Sequence, residues 1–229
     1  MILVLALAWP GRNSWLVMIY PCANSWAVAA PRTPFRLCIS IGAKSTLVAG
    51  GVPRAVLHSA MKLHFVGKQV KEGWKILNIQ AAPGVDYIGD ISDLSQFANG
   101  SIEEIYASHV LEHARQPDIP ATLEGLFRVL KWGGKLKVSL PDIDVLCKII
   151  IDPALSTEHR IAYLGMVFGG QTDAYDYHYF GWTYDIMRHF CTEAGFGDVE
   201  RVVSFGLFSD TNEILVEGTR ISLNVIATK

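Results

Sequence analysis

No aspartate or glutamate occurs in the first 60 of the 229 residues, which carry only Arg12, Arg32, Arg36, Lys44 and Arg54. The other 15 basic and all 22 acidic side chains follow, so a +5 segment precedes a −7 segment in a chain whose net charge is −2. That overall balance argues against a nucleic-acid binder working through bulk electrostatics. Cysteine is scarce: Cys22, Cys38, Cys147 and Cys191 form no C-x-x-C pair, which argues against a zinc ribbon or a dense disulfide framework. They are expected to be reduced, mostly buried thiols in a cytoplasmic protein. No apolar run reaches about 18 residues, so no membrane span is expected. The G-x-G-x-x-G fingerprint opening a helix is missing too, which disfavours a nicotinamide oxidoreductase. What the chain has in quantity is apolar surface. Half its residues are hydrophobic and 18% are charged, enough for a sizeable core and too apolar for wholesale disorder.

Residues 1–60 therefore stand apart as an extension, with one organised domain expected over 61–229. Three readings of the extension compete. The apolar start Met1–Trp9 and the small-residue stretch Ala27–Ala30 suggest a secretory signal, but no basic residue precedes the apolar run. The acid-free, arginine-containing bias fits an organellar transit peptide, though amphipathicity is weak. The third reading is a start codon set too far upstream, with Met61 opening the functional polypeptide.

From Met61 onward strand and helix alternate. Short apolar runs at Leu63–Val66, Lys75–Ile79, Val85–Ile88, Glu104–Ala107 and Lys135–Leu140 end at glycine or proline turns and predict five strands. Leu123, Leu126, Phe127 and Leu130 have helical spacing within Ala121–Leu130, and Gly133-Gly134 stops that helix. Asp144–Ile151 is expected to be helical. So is Tyr184–Ala194, with Thr183 as N-cap and Gly195 at the C-terminus. Val199–Phe205 and Ile221–Ala227 are late strands without a helix between them and should pair antiparallel at the edge. The expected fold is α/β: a doubly wound, Rossmann-like, mostly parallel sheet with an antiparallel edge strand. One connection is anomalous, because only about seven residues join the first two strands, too few for a full crossover helix.

Ligands of such sheets lie beyond the carboxyl ends of the strands, where the strand order reverses. The candidates are Gly67, Asn78 and Gln80, Asp90, Ser108 and His109, and Pro141-Asp142, each following a strand. Gly67, lacking a Cβ, either admits a ligand close to the backbone or simply turns the chain. Asp90 either accepts from an amino group or caps a turn. The segment Pro153–Trp182 is expected to form a lid or substrate wall, and its tyrosines either stack on a flat group or pack. His178 has Tyr175, Tyr177, Tyr179, Phe180 and Trp182 around it in sequence. It is the preferred general base, ahead of His109 and His113, with Glu112 and Asp142 behind them.

The runs G-V-D-Y-I-G-D-I-S-D-L (84–94), N-G-S-I-E-E-I-Y-A-S-H-V-L-E-H (99–113), F-R-V-L-K-W-G-G-K-L-K-V-S-L-P-D (127–142) and A-G-F (194–196) resemble class I S-adenosylmethionine-dependent methyltransferases. More narrowly, residues 61–229 are similar to a group of small bacterial members (type 11-like) that share D-x-H-x-x-G-[FW], here D-Y-H-Y-F-G-W (176–182). The resemblance implies S-adenosyl-L-methionine as cofactor. It implies Gly67 in the cofactor loop, Asn78 at the ribose position, Asp90 and Ile91 flanking adenine, and Ser108 and His109 beside the methionine part. It suggests a small-molecule or glycan acceptor, with neither nucleic acid nor metal; nothing in the sequence fixes the oligomeric state. Two features depart from the family pattern. The glycine loop is reduced to F-V-G-K-Q (65–69), with Val66 where a glycine would be expected, and Asn78 replaces an acid. A neutral acceptor contributes about 0.5–1.5 kcal/mol where a charged one gives about 1.5–3. A methyltransferase-like domain that binds a partner without catalysing is the alternative. A remoter one is a zinc hydrolase, because His109–His113 matches H-x-x-E-H, with Glu193 or Glu200 as third ligand.

Overall fold

In the computed structural model, residues 4–7, 16–19, 61–216 and 218–229 are described, and the chain divides into two units, Met1–Pro53 and Arg54–Lys229. In the first unit β1 (Val4–Leu7) pairs antiparallel with β2 (Leu16–Ile19). The remainder of the acid-free segment, with Cys22 and Cys38, lies outside the described residues, as do the readings placed on it.

The second unit is built on a seven-stranded sheet. Its strands are β3 (Met61–Phe65), β4 (Trp74–Asn78), β5 (Tyr87–Ile88), β6 (Ile102–Ser108), β7 (Leu130–Pro141), β8 (Asp198–Val202) and, after a small hairpin of β9 (Leu215–Val216) and β10 (Thr219–Arg220), β11 (Ser222–Thr228). The spatial order is β5-β4-β3-β6-β7-β11-β8. Strands β5 to β7 are mutually parallel, and β11 runs antiparallel between β7 and β8. The expected doubly wound, mostly parallel α/β sheet is therefore present. Its antiparallel strand sits one place in from the edge, because β11 inserts between β7 and β8. The winding reverses between β3 and β6, so the switch point lies at their carboxyl ends.

Four α-helices follow the sheet: α1 (Ile119–Val129), α2 (Ile143–Ile150), α3 (Thr157–Phe168) and α4 (Tyr184–Glu193). Thr183 Oγ1 caps α4 by accepting from Ile186 N at 3.3 Å, and Gly195, at φ 103°, follows its C-terminus. Helix α1 stops at Val129 as expected, but the chain continues directly into β7. Gly133-Gly134 sits inside a bulge of that strand, where Ile102 pairs with Leu130 and Glu104 with Lys135. Helix α3 occupies the segment expected to be a lid.

The two faces of the sheet differ in chemistry. Leu63, Phe65, Leu77, Ile105, Ala107, Leu136 and Val138 share one core with Leu123 and Leu126 of α1 and Met187 and Cys191 of α4. Cys191 is buried as expected, its thiol pushed up to about 12 by desolvation, whereas Cys147 is exposed. The opposite face carries His64, Trp74, Glu104 and Tyr106, all buried. None of the connections β3–β4, β4–β5 and β5–β6 contains a helix, so no crossover helix covers that face. The 203–213 segment covers it instead. Tyr106 Oη donates to Asp210 Oδ2 at 2.8 Å, Asn212 Nδ2 donates to Tyr106 Oη at 3.0 Å, and Asn224 Nδ2 donates to the carbonyls of Val203 and Asn212. Phe208 lies over the His64 ring with centroids 4.0 Å apart, and Trp74 and Tyr106 meet it edge-on.

Burial, slightly offset by Asp210, lowers the His64 pKa to about 4 from 6.5. The unfolded chain then binds more protons between these values, so stability falls as pH drops from 6.5 towards 4, by up to about 3 kcal/mol. Denaturant titrations across that window are expected to show this slope. His64→Leu should flatten the slope, leaving the like-signed contributions of His178, whose pKa burial also lowers, and, at the acid end, of carboxylates such as Glu104 that are held below their usual pKa. An unchanged slope in the variant would contradict this assignment.

Candidate active site

The turn that leaves β3 is strained. Val66 has φ 55°, a left-handed conformation costly for a β-branched residue, and Val66 N donates to the Leu77 carbonyl at 2.8 Å. Gly67 follows. A Cβ there would meet His64 Nδ1 at 2.3 Å, so the imidazole occupies the space that a side chain would need. The lone glycine is thus required by packing, whatever else it does. Across the switch point, His109 leaves β6 with φ 53°. Two non-glycine residues therefore hold left-handed backbone at the ends of adjacent strands. Strain of this kind clusters at functional sites.

Between the two turns lies a cleft of about 400 Å³, lined by Val66, Gly67, Lys68 and Gln69 on one side, Ser108 beyond, and Phe208–Thr211 opposite. Its two lips are tied together. Gln69 Nε2 donates to the Ser209 carbonyl at 2.8 Å, and Lys71 Nζ donates to the Leu207 carbonyl at 3.0 Å while lying 5.3 Å from the Phe208 ring centre.

Of the residues singled out from the sequence, Gly67 and Ser108 line this cleft. Asn78, at the end of β4, accepts from Gln80 N at 3.2 Å. Asp90 is exposed, and its Oδ1 accepts from Ser92 N at 2.8 Å and from Ser92 Oγ at 2.6 Å. Ile91 is buried in the core with Leu94 and Phe97. None of these three lines the cleft. Asp142 is buried, caps α2 through Asp144 N and Val145 N, and pairs with Arg201.

The histidines gather beside Ser108. His109 Nδ1 lies 3.1 Å from Glu112 Oε1, and its Nε2 lies 3.3 Å from Ser222 Oγ. Ser222 Oγ in turn donates to the carbonyl of Thr211, a cleft residue. Residues 111–113 make a single 3-10 turn, not an α-helix, so His109 and His113 do not share a helical face. The main chain then brings the distant 176–182 segment in, because Tyr179 N donates to the Glu112 carbonyl at 2.8 Å. His178 arrives next to His113, their rings 4.9 Å apart. Glu193, in contrast, lines a separate groove with Glu124 and His189, and Glu200 is exposed on β8. The participation of the 208–211 segment was not apparent in the sequence, whereas Glu112 stood there only as a reserve base and as part of H-x-x-E-H.

Gly67→Ala is expected to destabilise by about 1–3 kcal/mol, because its Cβ must displace the His64 ring. Val66→Gly should stabilise, by about 0.5–1 kcal/mol, since relief of a left-handed valine outweighs the added chain entropy. Urea unfolding of both variants checks the pair; a destabilised Val66→Gly would show that the turn is not strained.

Residues 48–138 match the family described as "Methyltransferase domain". No curated protein matches the chain. Among solved structures, a SAM dependent methyltransferase from Archaeoglobus fulgidus is 15% identical over 75% of this chain and 87% of its own, with a TM-score of 0.47. A Thermotoga maritima protein described as a possible histamine N-methyltransferase is 16% identical over 76% and 84%, also at 0.47. Human N-acetylserotonin methyltransferase in complex with SAM is 15% identical over 76% of this chain and 49% of its own, at 0.42. No helix among the described residues is long and apolar enough to cross a membrane. What is shown is similarity to a methyltransferase domain over residues 48–138, about two fifths of the chain.

Proposed function

We propose that residues 61–229 bind S-adenosylmethionine in the cleft between β3 and β6 and transfer its methyl group to a small-molecule or glycan acceptor in the cytoplasm. The observation that carries this reading is the cleft's position at the reversal of strand order, flanked by the strained turns at Val66 and His109. The residues present fit the group. The cleft has room for a nucleoside and an amino-acid moiety, the Ser108 hydroxyl offers a hydrogen bond, and the Lys68 ammonium at its mouth can pair with a carboxylate. When bound, the sulfonium supplies an electrophilic methyl group for in-line displacement. The chain's own contribution is position: Gly67, Lys68 and Ser108 orient one reactant, and Val66 and Phe208 keep water from it.

Proton handling falls to His109. His109 Nδ1 faces the Glu112 carboxylate at 3.1 Å and its Nε2 faces Ser222 Oγ at 3.3 Å, so Nε2 can take a proton that Ser222 relays once its hydroxyl turns from the Thr211 carbonyl. Neither His109 nor His178 lines the cleft: His109 reaches it through Ser222 and Thr211, and His178 lies beside His113. The exposed Tyr177 and Tyr179 rings, stacked 6.4 Å apart at 26°, offer a flat surface for a sugar, and a net charge of −7 disfavours a polyanion. One observation favours the non-catalytic alternative: the Gln69–Ser209 hydrogen bond ties the cleft's lips together.

Isothermal titration of the full chain with S-adenosylhomocysteine separates the two. Micromolar binding that His109→Asn leaves within about threefold, with transfer to an acceptor slowed by about 10²–10⁴ in that variant, is the expected result. No heat at millimolar ligand would leave a domain that does not use this cofactor.

A further inference from the structure

We infer that Glu112, His113 and His178 form a binding site for a divalent transition metal of the zinc class, next to the proposed transfer site but distinct from it. Each residue offers a ligand atom, and the three atoms lie within 4.8 Å of one another. An ion at about 2.0–2.2 Å from each needs them no more than about 4.4 Å apart, which small side-chain rotations reach. The donor set, two imidazoles and a carboxylate, is that of open zinc sites, in which a fourth position is left for water or a ligand heteroatom.

Three further features point the same way. Glu112 is 1% exposed, and neither Oε1 nor Oε2 has a hydrogen-bond donor among the described residues. A buried carboxylate oxygen without a partner is costly, and a cation is the partner that removes the cost. The surrounding hydrogen bonds are those of ligand-bearing side chains. His109 Nδ1 lies 3.1 Å from Glu112 Oε1, and His113 Nδ1 lies 3.0 Å from the Tyr177 carbonyl, to which it can only donate. That donation leaves His113 Nε2 with a lone pair to give, the arrangement by which a carbonyl fixes the tautomer of a metal-binding histidine. The main chain also preassembles the site: Tyr179 N and Phe180 N both donate to the Glu112 carbonyl, and His178 N donates to that of Phe168.

The assignment differs from an H-x-x-E-H zinc site. His109 lies beside the carboxylate and is not a ligand, the third ligand comes from 65 residues downstream of His113, and Glu112 is a ligand and not a base. It also stands independently of the transferase reading, because its test needs no cofactor.

The test is zinc titration of the metal-stripped full chain against a chromophoric chelator, with cobalt(II) as a spectroscopic probe. Expected is one ion per chain at micromolar or tighter affinity, with visible cobalt bands of a four- or five-coordinate N/O site. His113→Gln and His178→Ala should weaken binding by roughly a hundredfold or more, and His159→Ala, on exposed helix α3, should not change it. If His178→Ala fails to fold, a zinc-dependent rise in melting temperature of the wild type that is lost in His113→Gln supports the site equally well. No stoichiometric ion in the wild type, or equal affinity in the His113 variant, overturns the site. S-adenosylhomocysteine binding measured on the same samples keeps failure of this site apart from failure of the transferase assignment.

Discussion

The imidazole of His64 is wedged between the Phe208 ring and the Cα of Gly67, and much of the second unit follows from that wedge. Because the ring fills the place of a Cβ, residue 67 must be glycine. Because the turn must clear the ring within a short connection, Val66 takes left-handed backbone. Because Phe208 covers the ring, the 203–213 segment lies across the sheet and closes one wall of the cleft. A face that crossover helices would otherwise cover is sealed by aromatic stacking and by the Tyr106–Asp210–Asn212 hydrogen bonds.

That substitution explains the polarity of the face. A helix would bring apolar side chains, whereas a loop brings backbone groups that need partners. Asn224 and Ser222 supply them, while Tyr106 bonds the side chains of Asp210 and Asn212. At the amino-terminal end of the face, Glu104 sits between Lys62 and Lys137. Burial alone would raise its pKa, but the two ammonium groups outweigh that and hold it below its usual value.

Much of the fold was legible in the sequence, since its signals are local. Periodic leucines marked α1, Thr183 and Gly195 bracketed α4, and turn glycines bounded the strands to within a few residues. The short β3–β4 connection correctly signalled a missing helix. Helix α3 escapes the sequence pattern because Tyr163 is its only buried residue, so no apolar stripe announces it, although Ser156 accepts from His159 N as an N-cap. The bulge in β7 looks like a plain stop in the sequence, since paired glycines serve both purposes. The site was legible only in part. Ser108, His109 and His178 could be named singly, but their grouping depends on Glu112 meeting Tyr179 and on Tyr106 meeting Asp210, contacts between residues far apart in the chain that no local pattern encodes.

A crystal structure of the full chain with S-adenosylhomocysteine tests the central claim most directly. The account predicts ligand density between Gly67 and Ser108, with the Gln69–Ser209 tie opened or shifted and His64 still seated on Gly67. An unchanged, tied cleft at saturating ligand, or density at any other place on the sheet, would contradict it.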